Sequence, residues 1–482
     1  MLLLALALFA APSNPHALVD SAIAAMQRTQ SLRDVRSIRL TGIQHDYLLG
    51  NAERAEGPWR VQYTTFSELR DASSGAMRRT DQTLTGASKS PDRVTVLTDS
   101  VVAARVGGRE VGGSLGAFED VIDRIDGSPE RALFLAAASK ALTSGAPVKR
   151  FGVTFDVVSF PWRNGRMNVE LNHSTHLPEV VEIVRRYPDN FRWNVFGDVT
   201  MRVDYVDWTV TPSGAYWPMQ AKISFNGQPL RDVTLSSVAL EASVASADSF
   251  VVSDSARVQF AANSKLNFSR FGFGARGQPT ELLPGIVRVP DQWAMTLVKQ
   301  PDGVVIFESH ISGHYLREVI AEAGRRWPGA PVKALVMSSD PWAHLGGFRE
   351  AVGMKIPIYA NAGSVPFLTS MAKGGPAPRF IPVAGKTVIG SGDNVIELYP
   401  VGGPYAERML MAYFPGHKLL YGADLVFRSR GPDGTPLKTF IETPLVDLRA
   451  AVAREKLDVE TLFCVQNYPT FKWSEFVARL SS

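Results

Sequence analysis

The chain of 482 residues has one cysteine, so no internal disulfide can form and cysteine usage does not reveal a redox compartment. Cys464 stands between Phe463 and Val465, the setting of a buried, inert thiol. There is no basic run: 51 basic and 47 acidic residues are interspersed, and the net charge of +4 gives no footprint for nucleic acid. Low-complexity tracts are missing too, and 45% hydrophobic with 20% charged residues is the composition of a folded protein. Nor is there an apolar run of the ~20 residues a membrane span needs. The first eleven residues, MLLLALALFAA, have instead the length of a signal-peptide core, with small Ala10 and Ala11 near a cleavage point but no basic residues ahead of it. Residues 1–16 are therefore expected to be a signal peptide, and the protein to be periplasmic or secreted.

A chain of this length exceeds one ordinary core. Leu18, Ala22, Ile23 and Met26 recur at helical spacing, and strands then take over. Trp59, Val61 and Tyr63 alternate with polar residues, as do Met167, Val169 and Leu171, and Met201, Val203 and Tyr205; Asn226-Gly227 marks a hairpin. Ser128 and Pro129 fit the first positions of a helix running through Leu133 to Leu142. Residues 17–255 are thus expected to form a curved, mostly antiparallel sheet, an incomplete barrel with helices. Its strand-turn-strand segment MNVELNHSTHLPEVVEI resembles lipoprotein-carrier domains, which implies a face able to hold an acyl chain; a plain scaffold is the simpler expectation. His173 and His176 fall in that turn as exposed residues. The Ser-, Asn- and Gly-containing stretch 256–284 reads as a linker.

From 285 the pattern changes to α/β. Asp302-Gly303 turns into an apolar strand ending at Glu308 and Ser309, Ser312 can cap a helix bearing Leu316, Val319 and Ala323, and a second strand, Ala334 to Met337, leads into SSDPWAHLGG. A strand that ends in a polar loop is where α/β proteins keep their chemistry.

The order Asp-Gly, strand, Glu, helix, strand, polar loop and His344-x-Gly-Gly-x-Arg resembles the metallo-β-lactamase superfamily across residues 281–482. That resemblance implies an αββα sandwich and one or two zinc ions held by an H-x-H-x-D-H motif, a later His, an Asp and a last His. Here the motif positions carry Ser339, Pro341, Ala343 and His344; the later positions carry Tyr405, Asp424 and Asn467. Only His344 and Asp424 match, and two ligands do not hold zinc, which takes four. The expectation is a pseudoenzyme with no cofactor, its former pocket lined by Ser339, Asp340, Trp342, His344, Tyr405, Asp424 and Asn467 and suited to a small organic ligand. The alternative is a hydrolase with a remodelled site. His310 and His314, four residues apart at the helix start, are possible substitute zinc ligands, with exposed surface histidines the simpler reading. Ser339, His344 and Asp424 are the composition of a metal-free nucleophile, base and orienting carboxylate.

Overall fold

The computed structural model describes residues 14–48, 56–85, 88–188, 190, 193–265, 277–291, 293–340, 342–404, 406–430, 436–440, 442–466 and 468–478. They form two compact units, one from the described residues of Met1–Leu48, Val61–Tyr187 and Asp198–Leu266, the other from those of Leu49–Arg60, Pro188–Gly197 and Asn267–Ser482. The whole is mixed α+β with large antiparallel sheets. Among the described residues no helix is long and apolar enough to cross a membrane.

The first unit is a 15-stranded antiparallel sheet. In the strand Ser37–Tyr47 the even-numbered Ile38 and Leu40 are buried while Arg39 is exposed, the period of two that seats one face on a core. The expected hairpin forms at Asn226 and Gly227, both with positive φ (50° and 80°), as a two-residue turn requires. The outermost strands, Arg109–Gly112 and Thr143–Ser144, are not paired with each other, so the sheet stays open. Helix α1 (Pro15–Met26) buries Val19, Ala22, Ile23 and Met26.

Helix α2 (Leu115–Asp126), capped by Ser114, was not expected from the sequence; α3 (Pro129–Ala138) begins at the predicted Pro129 but stops short of Leu142. Sequence reading also missed α4 (Asp254–Asn263), which occupies the start of the expected linker. Its Ala256 and Phe260 pack on Val96, Val102 and Ala103, so this stretch belongs to the first unit's core. Residues 266–276 lie outside the described residues.

Helix α2 docks through charge. Glu68, with a side chain 0% exposed, accepts from Arg70 (2.5 Å), Arg79 (3.1 Å) and Arg124 of the helix (2.6 Å). Asp123 is bonded by Arg185 and the Tyr187 hydroxyl at 2.7 Å each, and Asp126 by Trp162 at 3.1 Å. Burial alone would raise the Glu68 carboxyl, but the three guanidinium groups outweigh it and hold it well below the ordinary carboxylate range.

The second unit has a seven-stranded and a six-stranded sheet. One buried cluster draws Val298, Val305, Phe307 and Val336 from the first and Leu398, Leu410, Phe414, Tyr421 and Phe463 from the second, so the two sheets face each other. Each such side chain contributes roughly 1.5–3 kcal/mol by leaving water. Helix α5 (Gly313–Arg326) covers the outer face of the seven-stranded sheet with Tyr315, Leu316, Val319 and Ala323, and the Tyr315 hydroxyl bonds the Val289 carbonyl at 2.8 Å. Helices α6 (Phe348–Gly353) and α7 (Val365–Met371) follow, and α8 (Glu442–Arg454) covers the six-stranded sheet with Leu445, Leu448, Ala451 and Val452. The layers are helix, sheet, sheet, helix.

Candidate functional site

Two adjacent parallel strands, Gly303–Phe307 and Val332–Met337, end at the same edge of the sandwich, with Phe307 in register with Val336. The first delivers Glu308, Ser309 and His310; the second delivers Ser338, Ser339 and Asp340. All six are 5% exposed or less. Glu308 and Ile311 hold positive φ (73° and 67°), a conformation that costs a non-glycine residue about 1–3 kcal/mol and is found where surrounding structure enforces it. Between them the chain turns inward, and Ser312 then caps α5 by accepting from the Tyr315 amide at 3.1 Å, as its sequence predicts.

The turn Trp342–Leu345 brings His344 onto this segment. Gly346 permits the approach: a Cβ there would lie 2.1 Å from the Ile311 carbonyl carbon. The Gly-Gly pair therefore serves close backbone contact, since neither glycine has positive φ. The Gly347 amide bonds the Ser309 carbonyl at 2.6 Å.

Asp424 arrives from the other sheet, just past the strand Leu419–Tyr421. Its Oδ2 is 3.2 Å from His344 Nε2, and its Oδ1 accepts from Gln466 at 2.9 Å. His344 Nδ1 is 3.1 Å from Ser339 Oγ. With Asp424 ionised, Nε2 carries the proton and Nδ1 accepts from the serine hydroxyl, a nucleophile-base-carboxylate line with the two ring nitrogens exchanged relative to the usual triad. Burial lowers the His344 pKa and raises that of Asp424, each partly offset by the other, so the imidazole is the neutral form that can accept a proton.

Glu308 accepts from the Ser338 hydroxyl and, at 2.9 Å, from Tyr421. Burial pushes its carboxyl up to about 7 against those two bonds. His310 is 0% exposed, not the surface histidine expected, and neither of its ring nitrogens has a hydrogen-bond partner. Desolvation, with a smaller contribution from His344, holds it well below the usual histidine range. Its ring meets that of His344 edge-on, with centroids 4.6 Å apart, and Trp293 lies 5.9 Å from His310 and 5.0 Å from His344.

Sequence reasoning placed His310 on the helix with His314, yet the cap at Ser312 puts it before the helix. His314, within α5 and half-buried, is outside the cluster. Glu308 was seen as a strand end but not as a site residue. Asp340 has a different neighbourhood: Arg408 is 3.7 Å from its Oδ2, and burial pushes its carboxyl up to about 6 despite Ser364 and Arg408. Trp342 lies in the short turn before His344; Tyr405 and Asn467 lie outside the described residues. Of the residues expected to line the former pocket, Ser339, Asp340 and His344 are each 3–5% exposed.

The two facing sheets, their outer helices and a polar cluster at the strand ends make up the arrangement that the motif order implied. The second unit is a helix-sheet-sheet-helix sandwich, the layering that the resemblance to the metallo-β-lactamase superfamily implies. No protein-family model matches the chain, and no curated protein does. Among solved structures, it is similar to a stereoselective inverting sec-alkylsulfatase from Pseudomonas sp. (16% identity, TM-score 0.34, 42% of this chain). A metallo-beta-lactamase from Pontibacter korlensis gives 16% identity and a TM-score of 0.34 over 42% of this chain and 97% of its own. The metallo-beta-lactamase DIM-1 gives 13%, 0.35, 42% and 95%. The match spans only 40% of the alkylsulfatase's length.

Proposed function

We propose that this is an exported, non-catalytic binding or structural protein whose second unit keeps the superfamily's sandwich but has lost its zinc pair. The supporting observation is the mutual bonding of His344 and Asp424 at 3.2 Å: the two residues matching family ligand positions satisfy each other, with Ser339 and Gln466 completing their bonds. Ala343 offers no donor atom, and Ser339 is a poor zinc ligand already engaged by His344. The test is turnover of a lactam, a thioester, a phosphodiester and an alkyl sulfate with added zinc. Rates at background are expected; turnover that disappears in Asp424→Asn would overturn the reading.

One observation favours a second reading, a metal-free hydrolase: the continuous line Ser339, His344, Asp424. Covalent labelling by a fluorophosphonate, lost in Ser339→Ala, would establish it.

For the first unit we favour a scaffold over a lipid carrier, although its open sheet is compatible with the lipoprotein-carrier resemblance. The face under α2 is filled by arginine-carboxylate pairs, which do not suit an acyl chain. Co-purifying lipid detected by mass spectrometry would reverse that preference. The signal peptide and the periplasmic or secreted location are part of the same proposal, and so is a domain boundary placed after α4.

A further inference from the structure

We propose that Glu308, His310 and His344 form a binding site for one divalent transition-metal ion, built on two residues outside the superfamily motif. One donor atom from each lies within 4.8 Å of the others, and all three side chains are buried. The second observation is independent of that clustering. His310 is 0% exposed with Nδ1 and Nε2 both unpartnered, whereas Glu308 and His344 each have hydrogen-bond partners. A buried nitrogen without a partner is costly to keep, and a nitrogen lone pair near a second imidazole and a carboxylate is satisfied by a cation.

The donor set selects the ion. Two imidazoles and one carboxylate are borderline donors suited to zinc, iron(II) or cobalt(II); calcium and magnesium prefer oxygen donors alone. Three protein ligands leave a coordination position open, and the Asp424 carboxylate stands beside His344 with Oδ2 3.2 Å from Nε2. Because ligand bonds are about 2.0–2.2 Å long, the three side chains must draw closer around the ion than they stand here, and His344 must exchange its bond to Ser339 at Nδ1 or to Asp424 at Nε2 for the bond to the ion. The motif alone led to the expectation of a chain without cofactor, since neither Glu308 nor His310 occupies a motif position. This inference goes beyond the proposed function and does not depend on it: a single ion in a closed site can be structural.

The test uses the full chain after dialysis against a chelator, titrated with cobalt(II) and with zinc(II) alone. One cobalt per chain is expected, with visible ligand-field absorption, displaced by zinc. His310→Ala and the isosteric Glu308→Gln should each weaken uptake on the order of 100-fold, and His314→Ala should leave it unchanged. Circular dichroism checks folding, and Glu308→Gln carries the test if His310→Ala unfolds. No saturable uptake by the parent chain, or equal uptake by a folded Glu308→Gln, would overturn the site. Uptake of one ion without hydrolysis leaves the proposed function standing; zinc-dependent hydrolysis that persists in both variants would overturn both readings.

Discussion

Glu68 in the first unit and Glu308 in the second are the same residue under the same burial, 2% and 1% exposed, with opposite fates. Three guanidinium groups surround Glu68 and hold its carboxyl ionised. Two hydroxyls meet Glu308, and burial prevails, raising it to about 7. Beside Glu68 the polar groups are arginines that neutralise it; beside Glu308 stands His310 with two unpartnered nitrogens. A buried charge with matched countercharges fixes how a helix sits on a sheet. A buried carboxyl and imidazole without them are poised for something the protein itself does not supply.

The largest test of that contrast is Glu68→Gln. It leaves Arg70, Arg79 and Arg124 without their shared carboxylate, and removal of one partner from a buried ionic group costs about 3–5 kcal/mol. Urea unfolding should show the loss in the first unit. A loss under about 1 kcal/mol would mean that solvent reaches the arginines and the contrast is false. The sign of the pH effect follows from the depressed pKa. The unfolded state takes up a proton near the ordinary value of 4.5 while the folded state resists, so the stabilisation is complete above that pH and declines as pH falls. Acid titration followed by circular dichroism should show this decline in the parent and a weaker one in Glu68→Gln.

Next in size is Gly346→Ala. Its Cβ would meet Ile311 backbone atoms at 2.1 and 2.2 Å, which forces apart the segments carrying His310 and His344. Overpacking of this kind costs about 1–3 kcal/mol. Cobalt uptake should fall with it, although no ligand has been changed. Full uptake in a folded Gly346→Ala would separate the metal site from this close approach.

Single elements of the sandwich were legible because their signals are local, Asp302-Gly303 before an apolar strand and Ser312 at a helix start, whereas its four-layer arrangement was implied by the family resemblance. The missed helices had signals as well. Ser114 caps α2, and Phe118, Val121, Ile122 and Ile125 recur at helical spacing. The charged face of α2 is buried on Glu68 and Arg185, fifty or more residues away in sequence, which no periodicity reveals. His310 was misplaced for a related reason. Spacing to His314 suggested one helical face, while the cap at Ser312 already excluded His310 from the helix. What directs it inward is the pair of positive φ values at Glu308 and Ile311, enforced by tertiary packing. The partnership of Asp424 with His344 was foreseeable only through the family resemblance, because it joins two sheets.

The smallest expected effect is the most discriminating. In chelator-treated protein, Glu308→Gln keeps an oxygen to accept from Ser338 and Tyr421 and removes the ionisable proton. Glu308 titrates near 7 when folded against 4.5 as a free side chain, so between those values the folded state holds the extra proton. Stability therefore falls as pH rises from about 5 to 8, the opposite direction to the Glu68 effect. At pH 4, below both values, the Glu308 carboxyl of the parent is largely neutral folded and unfolded, and the variant should match it within about 0.5 kcal/mol. At pH 8 the variant should be more stable, by on the order of 1–3 kcal/mol, because it no longer carries a buried unpaired charge. Parallel stability curves for parent and variant across this range would show that Glu308 is compensated after all, and that the two glutamates differ less than their neighbours suggest.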